Sequence, residues 1–257
     1  MNYIYLYFMK RVYLLLLFLA LGSASYSQDL IRITADLELI RISDNAYIHV
    51  SWSDLPDYGR VGANGLVFIS GSRAFLFDTP WNDSLTCILV SYLEGQMQLK
   101  IEGFIPNHWH EDCMGGLGCI KGHGIKSYAN QLTVDIARSK GLPVPDEGFT
   151  DSLTLRLGDK VIYCCFPGAA HTTDNVVVWV PSEKILFPGC ICKSLDSSNP
   201  GNTADGDTSA YLETVDYIID KFSNADVVIP GHGNFGGPEL LTHTRALVLT
   251  NRSLPER

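Results

Sequence analysis

The chain has 257 residues, 46% of them hydrophobic and 18% charged, with 28 acidic against 19 basic side chains. That composition belongs to a folded protein with room for one sizeable core, and it excludes a low-complexity or disordered chain. The net charge of −9 argues against a nucleic-acid binder, which needs basic surface, and otherwise asks for no particular partner.

Lys10 and Arg11 precede the apolar run VYLLLLFLALG, and small residues follow in SASYSQ. This is the order of a secretory signal peptide, and the run is too short for a comfortable membrane span. Residues 1–27 are expected to be removed on export to the periplasm, with cleavage between Ser25 and Asp29. Residues 28–257 then form one domain, monomeric and without a membrane anchor. Met9, directly before Lys10, is a candidate for the true start. No Cys closes the apolar run, which speaks against lipidation. The seven cysteines raise the question of disulfides in an exported chain. Seven is odd, so at least one has another fate, and the irregular spacing is not that of a small disulfide scaffold.

Residues 37–52 and 65–80 read as strands, rich in apolar and β-branched residues and broken by SDN and SGS. Between them SDLPDYGRVGANG, residues 53–65, reads as an exposed, mobile loop. NDSLTCILVSYLEGQM, residues 82–97, has a polar start and helical spacing. Residues 101–107 form a strand that delivers the motif HWHEDCMGG. Residues 130–141 read as a short helix closed by Gly141. Residues 151–168 give two strands, and 175–191 two more hinged at PSEK. Residues 208–222 form an amphipathic helix, ADVVIPGHG a strand ending in a Gly-flanked His, and the last helix, about 238–251, starts at Pro238. Strand runs and helices thus alternate in two similar halves. That predicts an α/β fold of two sheets packed face to face with helices outside, in one domain.

Metal-capable residues recur at the strand ends: His108, His110 and Asp112 after 101–107, His171 in PGAAHTTDN, Cys190 after KILFPG, and His232 after DVVIPG. Strand ends meeting at one edge would gather all six. The types suit zinc. Three neutral imidazoles leave a fourth position open on one ion, and a carboxylate, a thiolate and an imidazole suit a second. The spacing of two in His108, His110 and Asp112 is assigned to a turn at CMGG, where glycines reach unusual backbone angles. Taken singly, His123, His243 and Cys192 read as solvated or packing residues.

HWHED, the stretch from Pro167 to Leu195, GNTADGD and IPGHG together resemble the class B metallo-β-lactamases, in the di-zinc subclass with a Cys ligand. The resemblance spans about residues 35–250. Its H-x-H-x-D part is shared across a wider hydrolase superfamily; Pro167–Leu195 is the diagnostic part. It implies a four-layer αββα sandwich with the metal site at one edge of the two sheets. It implies two Zn²⁺, with His108, His110 and His171 on one and Asp112, Cys190 and His232 on the other. It makes Lys193 the contact for the substrate carboxylate, and sets Asn202 near the β-lactam carbonyl as a catalytic and substrate-binding group. Asp112 would also orient the attacking water, and Asp78 would orient a ligand loop. The loop 53–65 would be a flap over the substrate. The implied activity is hydrolysis of penicillins, cephalosporins and carbapenems, conferring antibiotic resistance without an acyl-enzyme. No S-x-x-K motif supports a serine route.

One departure is Cys113, where an Arg is common in this subclass. It is open to three readings: an inert neighbour of the ligands, a thiol that oxidises or pairs, or an alternative ligand. Two other functions stay open. A lactonase or thioesterase on the same fold is disfavoured by Cys190 and Lys193. A non-catalytic exported zinc-binding protein would bind the metal and hydrolyse nothing.

Overall fold

A computed structural model describes residues 29–252; the signal-peptide expectation and Met9 lie outside them. The chain runs through β1 (Leu30–Thr34), β2 (Leu37–Ser43), β3 (Ala46–Leu55), β4 (Gly59–Ser70), β5 (Arg73–Phe77), α1 (Asp83–Gly95) and β6 (Lys100–Ile105). Next come α2 (Glu111–Met114), α3 (Leu117–Gly122), β7 (Tyr128–Asn130), α4 (Gln131–Lys140), β8 (Glu147–Phe149), β9 (Ser152–Leu157) and β10 (Lys160–Cys165). It closes with β11 (Val177–Val180), β12 (Ile185–Gly189), α5 (Tyr211–Lys221), β13 (Val227–Pro230) and α6 (Glu239–Arg252).

Strands β1 to β6 form one sheet in sequence order, and β13-β12-β11-β10-β9 form a second. Within these two sheets pairing is antiparallel except β5 with β6 and β12 with β13, the strands that precede motif residues. Alternation along β4 shows how the layers arise. Leu66 and Phe68 pack between the sheets with Phe77, Ile162, Val178 and Phe187. Val67 and Ile69 point the other way, onto Leu89, Leu93 and Leu117 of α1 and α3. On the far side Trp179, Leu186 and Val228 bury Val215 and Ile218 of α5 and Leu241 of α6. A sheet buried on both faces needs such continuous apolar strands. The result is the expected αββα sandwich.

Local signals explain the helix ends. Asn82 accepts from Leu85 N at 3.0 Å, and Asn130 accepts from Leu132 N at 2.8 Å. Gly141 closes α4 in the left-handed region at φ 68°.

Two expectations need correction. Residues 53–65 are not a loop: β3 and β4 stay paired out to Leu55 and Gly59, and only residues 56–58 turn. Gly59 supplies a positive φ of 69°, and Gly62 leaves room for the Trp52 ring, which a Cβ would meet at 3.1 Å. The stretch is nonetheless exposed at its tip, with Tyr58 among the most exposed large side chains. The second correction concerns CMGG, which carries no unusual backbone angles. Gly115 has φ −62° and Gly116 φ −98°. These glycines serve close approach instead. A Cβ would come within 2.2 Å of Trp81 O at Gly115 and 1.8 Å of Thr86 Oγ1 at Gly116.

Cys87 and Cys119 are joined in a disulfide that ties α1 to α3. Cys113, Cys164, Cys165, Cys190 and Cys192 are free and buried.

Candidate metal centre

The C-terminal ends of β5, β6, β12 and β13 meet at one edge of the sandwich, and side-chain hydrogen bonds fix the loops that leave them. Asp78 follows β5 with φ 57° and is fully buried. Its Oδ1 accepts from Asn107 N at 2.5 Å, one residue before His108. Asn107 in turn exchanges bonds with Val176, Nδ2 to the Val176 carbonyl at 2.9 Å and Val176 N to its own carbonyl at 2.7 Å. Gly189 must lack a side chain, because a Cβ there would lie 1.7 Å from Asn107 Oδ1. Asn64 of β4 donates to the carbonyls of Pro230 and Gly233 at 2.9 and 2.8 Å, which pins the loop that carries His232. His232 Nδ1 also donates to Gly62 O at 2.8 Å. Asn175 Oδ1 accepts from both Thr172 N and Oγ1, shaping the turn after His171.

These loops bring together His108, His110 and His171. Their ring centroids are 4.6, 4.8 and 5.3 Å apart, and a ligand atom from each lies within 4.8 Å of the others. Beside them Asp112 Oδ2 lies 3.1 Å from His232 Nε2 and 3.4 Å from Cys190 Sγ. Its Oδ1 is 3.8 Å from His108 Nε2, so Asp112 stands between the two groups. Cys113 is within 4.8 Å of His108, Asp112 and Cys190, and its Sγ lies 3.2 Å from His108 Nδ1.

The electrostatics favour the ligating form at four of the six residues. Burial lowers His108 to about 3 and holds His171 well below the usual histidine range, so both rings are neutral with lone pairs available. The Cys113 thiol's hydrogen bond brings Cys190 down to about 6 against the opposing effect of burial. Burial pushes Asp112 up, but the His232 hydrogen bond and the neighbouring imidazoles hold it well below the usual carboxylate range. The fit to a metal rests on unpartnered atoms. His108 Nε2 and both ring nitrogens of His171 are buried with no hydrogen-bond partner among the described residues, an arrangement that costs free energy unless a ligand is met. Three nitrogens on one side and a carboxylate, a thiolate and an imidazole on the other are zinc-type donors.

Four of the donors, His110, Asp112, His171 and His232, open into a cavity of about 510 Å³ that Lys193, Asn202, Trp81 and Trp109 also line. Lys193 is 8% exposed and its Nζ donates to Cys190 O at 2.7 Å. Asn202 is exposed, and its Oδ1 accepts from Ala204 N at 3.0 Å, which leaves Nδ2 without an acceptor among the described residues. Sequence reasoning missed Asn64 and Asp205. Asp205 Oδ2 lies 3.0 Å from His110 Nε2. GNTADGD carried the signal for Asp205, but its Asn drew the attention. Of the residues set aside earlier, His123 pairs with Glu94 and His243 bonds to Ser197 O, both away from the centre.

No family profile matches the chain. Curated relatives do. It is 44% identical over 240 residues to "Metallo-beta-lactamase type 2" of Bacteroides fragilis, covering 93% of this chain and 96% of the relative. It is 31% identical to the protein of the same name from Bacillus cereus, covering 84% of each. Among solved structures, a metallo-beta-lactamase from Pontibacter korlensis superposes with TM-score 0.80 at 33% identity, over 83% of this chain and 99% of that one. The DIM-1 metallo-beta-lactamase does so with TM-score 0.79 at 34% identity, over 84% and 98%.

Proposed function

The chain belongs to the metallo-β-lactamases, and on that premise we propose that it is an exported, monomeric, di-zinc hydrolase of the periplasm. It opens the amide bond of penicillins, cephalosporins and carbapenems and so confers resistance to them. The observation that carries this reading is the adjacency of two donor sets, His108/His110/His171 and Asp112/Cys190/His232, four of whose members, His110, His171, Asp112 and His232, line a cavity that Lys193 also lines. The first set holds one zinc ion and the second set the other.

Zinc supplies Lewis acidity, which makes water a competent nucleophile at neutral pH and draws electron density from a carbonyl. The chain's own groups do the positioning. Lys193, which lines the cavity and is tied by its ammonium to Cys190 O, binds the carboxylate that β-lactams carry beside the ring nitrogen. Asn202 Nδ2 donates to the lactam carbonyl oxygen, and more strongly as that oxygen gains negative charge. Asp112 orients the attacking water through its carboxylate, which stands between the two donor sets. Asp78 and Cys113 keep the ligand-bearing loop in place through Asn107 and His108. The nucleophile is water, so no acyl-enzyme accumulates.

The test is hydrolysis of a penicillin, a cephalosporin and a carbapenem by the mature protein, with zinc counted in the same sample. Turnover that dies with a chelator and returns on adding zinc is expected. Two bound zinc ions with no turnover of any of the three would overturn the reading and point to lactones or thioesters.

A further inference from the structure

Helices α1 and α3 carry a further set of zinc-type donors away from the metal centre. Cys87 of α1 and Cys119 of α3 lie with His123 so that a ligand atom from each falls within 4.8 Å of the others. Spacing along the helices explains the convergence. Cys119 and His123 are about one turn apart, His123 being the residue that caps α3. Helical side chains lean back toward the N-terminal turn, which carries the imidazole toward the sulfur. Glu94, about two turns beyond Cys87 on α1, reaches the same place. Its Oε2 lies 3.6 Å from His123 Nδ1. A carboxylate beside an imidazole is the pairing that orients a ligating ring.

The place is open to an ion from solution. Cys119 is buried, but Cys87 is half-buried and lines a surface groove with Ile33, Ser91 and Tyr92. His123 and Glu94 are exposed.

In the structure the two sulfurs are joined to each other. The thiolate is the metal ligand, so a disulfide and a metal ion exclude one another here. Every chain is synthesised with both cysteines as thiols, and in that form the same three side chains are free donors. We propose that the dithiol form binds a Zn²⁺ ion through Cys87, Cys119 and His123, with Glu94 orienting the ring and water in the fourth position. Zinc would then staple α1 to α3 wherever the disulfide has not formed. Binding exchanges protons for the ion: two thiols and Zn²⁺ give a zinc dithiolate and two protons. Two thiolates and an imidazole suit zinc, which they meet at about 2.3 Å and about 2.0–2.1 Å. The proposal stands apart from the lactam-hydrolase reading, since none of these residues lines the cavity over the metal centre.

Counting zinc tests it. Zinc-saturated protein is desalted without oxygen, and bound zinc and titratable thiols are counted before and after reduction by a phosphine. The phosphine opens the disulfide by taking the oxygen of a water molecule, whose two protons go to the sulfurs. The reduced parent is expected to retain about one more zinc ion per chain than the oxidised parent. Reduced H123A and reduced C87S/C119S should show no such gain. In reduced E94Q a chromophoric chelator should remove the added ion about tenfold more readily. Thermal unfolding gives an independent reading. With the disulfide intact, parent and H123A should melt alike; after reduction in excess zinc, the parent should melt higher. A reduced parent that holds no more zinc than the oxidised one, or that unfolds despite saturating zinc, overturns the proposal. An equal gain in reduced H123A also overturns it, because the added ion would then sit on other thiols.

Discussion

Asp205 Oδ2 lies 3.0 Å from His110 Nε2, a contact made across 95 positions of the chain. It consumes one ring nitrogen of His110 and leaves the other, Nδ1, for the neighbours His108 and His171. A ligating histidine whose far nitrogen donates to a carboxylate is held in one tautomer and one orientation, and removing such a partner typically costs ten- to a hundredfold in metal affinity. Asp205→Ala is therefore expected to weaken zinc binding by about tenfold or more, with Asp205→Asn intermediate. Competition with a chromophoric chelator reads this directly. An unchanged affinity in the Ala variant would mean that the contact is incidental.

Asp78 acts on the same loop from the other side. Burial pushes its carboxyl well above the usual range, against the Asn107 hydrogen bond that holds it down. Truncation to Ala leaves Asn107 N without its acceptor in a buried setting, a loss of about 1–3 kcal/mol. Urea unfolding of the metal-free protein should show that loss, with a smaller one for Asp78→Asn, which keeps an acceptor oxygen. A shift in zinc affinity with no change in metal-free stability would contradict the argument.

His49 carries a pH signature separate from the metal. It sits in β3 with Nε2 at 3.0 Å from Asp78 O, against Gly65, whose missing Cβ would fall 2.0 Å from that nitrogen. Burial lowers it to about 4 from an ordinary value of 6.5. The unfolded chain therefore takes up a proton at His49 as pH drops below 6.5, while the fold resists until pH 4. Stability is lost across that window and levels off below it, by about 3 kcal/mol from this residue alone. His49→Gln should lack that component, so the gap in unfolding free energy between parent and variant narrows from pH 7 to pH 4. A constant gap would show that His49 protonates freely in the fold.

Why some of this was legible in the sequence and some was not follows from the physics of each part. The sandwich was readable because both sheets are buried on both faces, so strands such as residues 65–70 and 177–180 show as unbroken apolar runs. His171, Cys190 and His232 were readable because each follows such a run at a Gly-marked end, and His108, His110 and Asp112 because of their H-x-H-x-D spacing after a strand. The hairpin at residues 53–65 was not, because Pro56, Gly59 and Gly62 look like loop residues. Two of them serve a tight turn and a tryptophan contact instead. Asn64 and Asp205 were missed for a different reason. Each acts on a partner more than 90 positions away, and no local pattern encodes that distance. The Cys87–Cys119 pairing had the same character, since it depends on how closely α1 and α3 approach.

That disulfide closes a loop of sequence separation 32 around the segment bearing His108, His110 and Asp112. Restricting the unfolded chain by a loop of that size is worth about 3–4 kcal/mol in the chain-entropy account. The double variant Cys87→Ser/Cys119→Ser should lose stability of that order in denaturant titrations. Mass spectrometry of the parent under non-reducing conditions should find the bond and leave five titratable thiols, the number of free cysteines. Seven titratable thiols in the protein prepared without reductant would contradict the pairing.

Lys193 separates binding from chemistry. Burial lowers its ammonium below the ordinary lysine range, while the charges of Cys190, Cys192 and Asp112 pull it back up. A cation so placed, with a single hydrogen bond to Cys190 O, retains donors for a substrate carboxylate. A hydrogen bond to a charged group is worth about 1.5–3 kcal/mol, so Lys193→Ala should raise KM by about ten- to a hundredfold on lactams bearing the carboxylate. The change should fall mainly on KM, because the carboxylate binds alike in the ground and transition states. The substitution also removes the donor to Cys190 O, and Cys190 is one of the zinc-type donors, so a structural effect has to be told apart from a lost anchor. Esterifying the lactam carboxylate does that. Parent and variant should handle the ester with similar KM if Lys193 acts through the carboxylate, whereas a disturbed Cys190 would depress turnover of acid and ester equally. An unchanged KM for every acid substrate would mean that the carboxylate anchor is some other group.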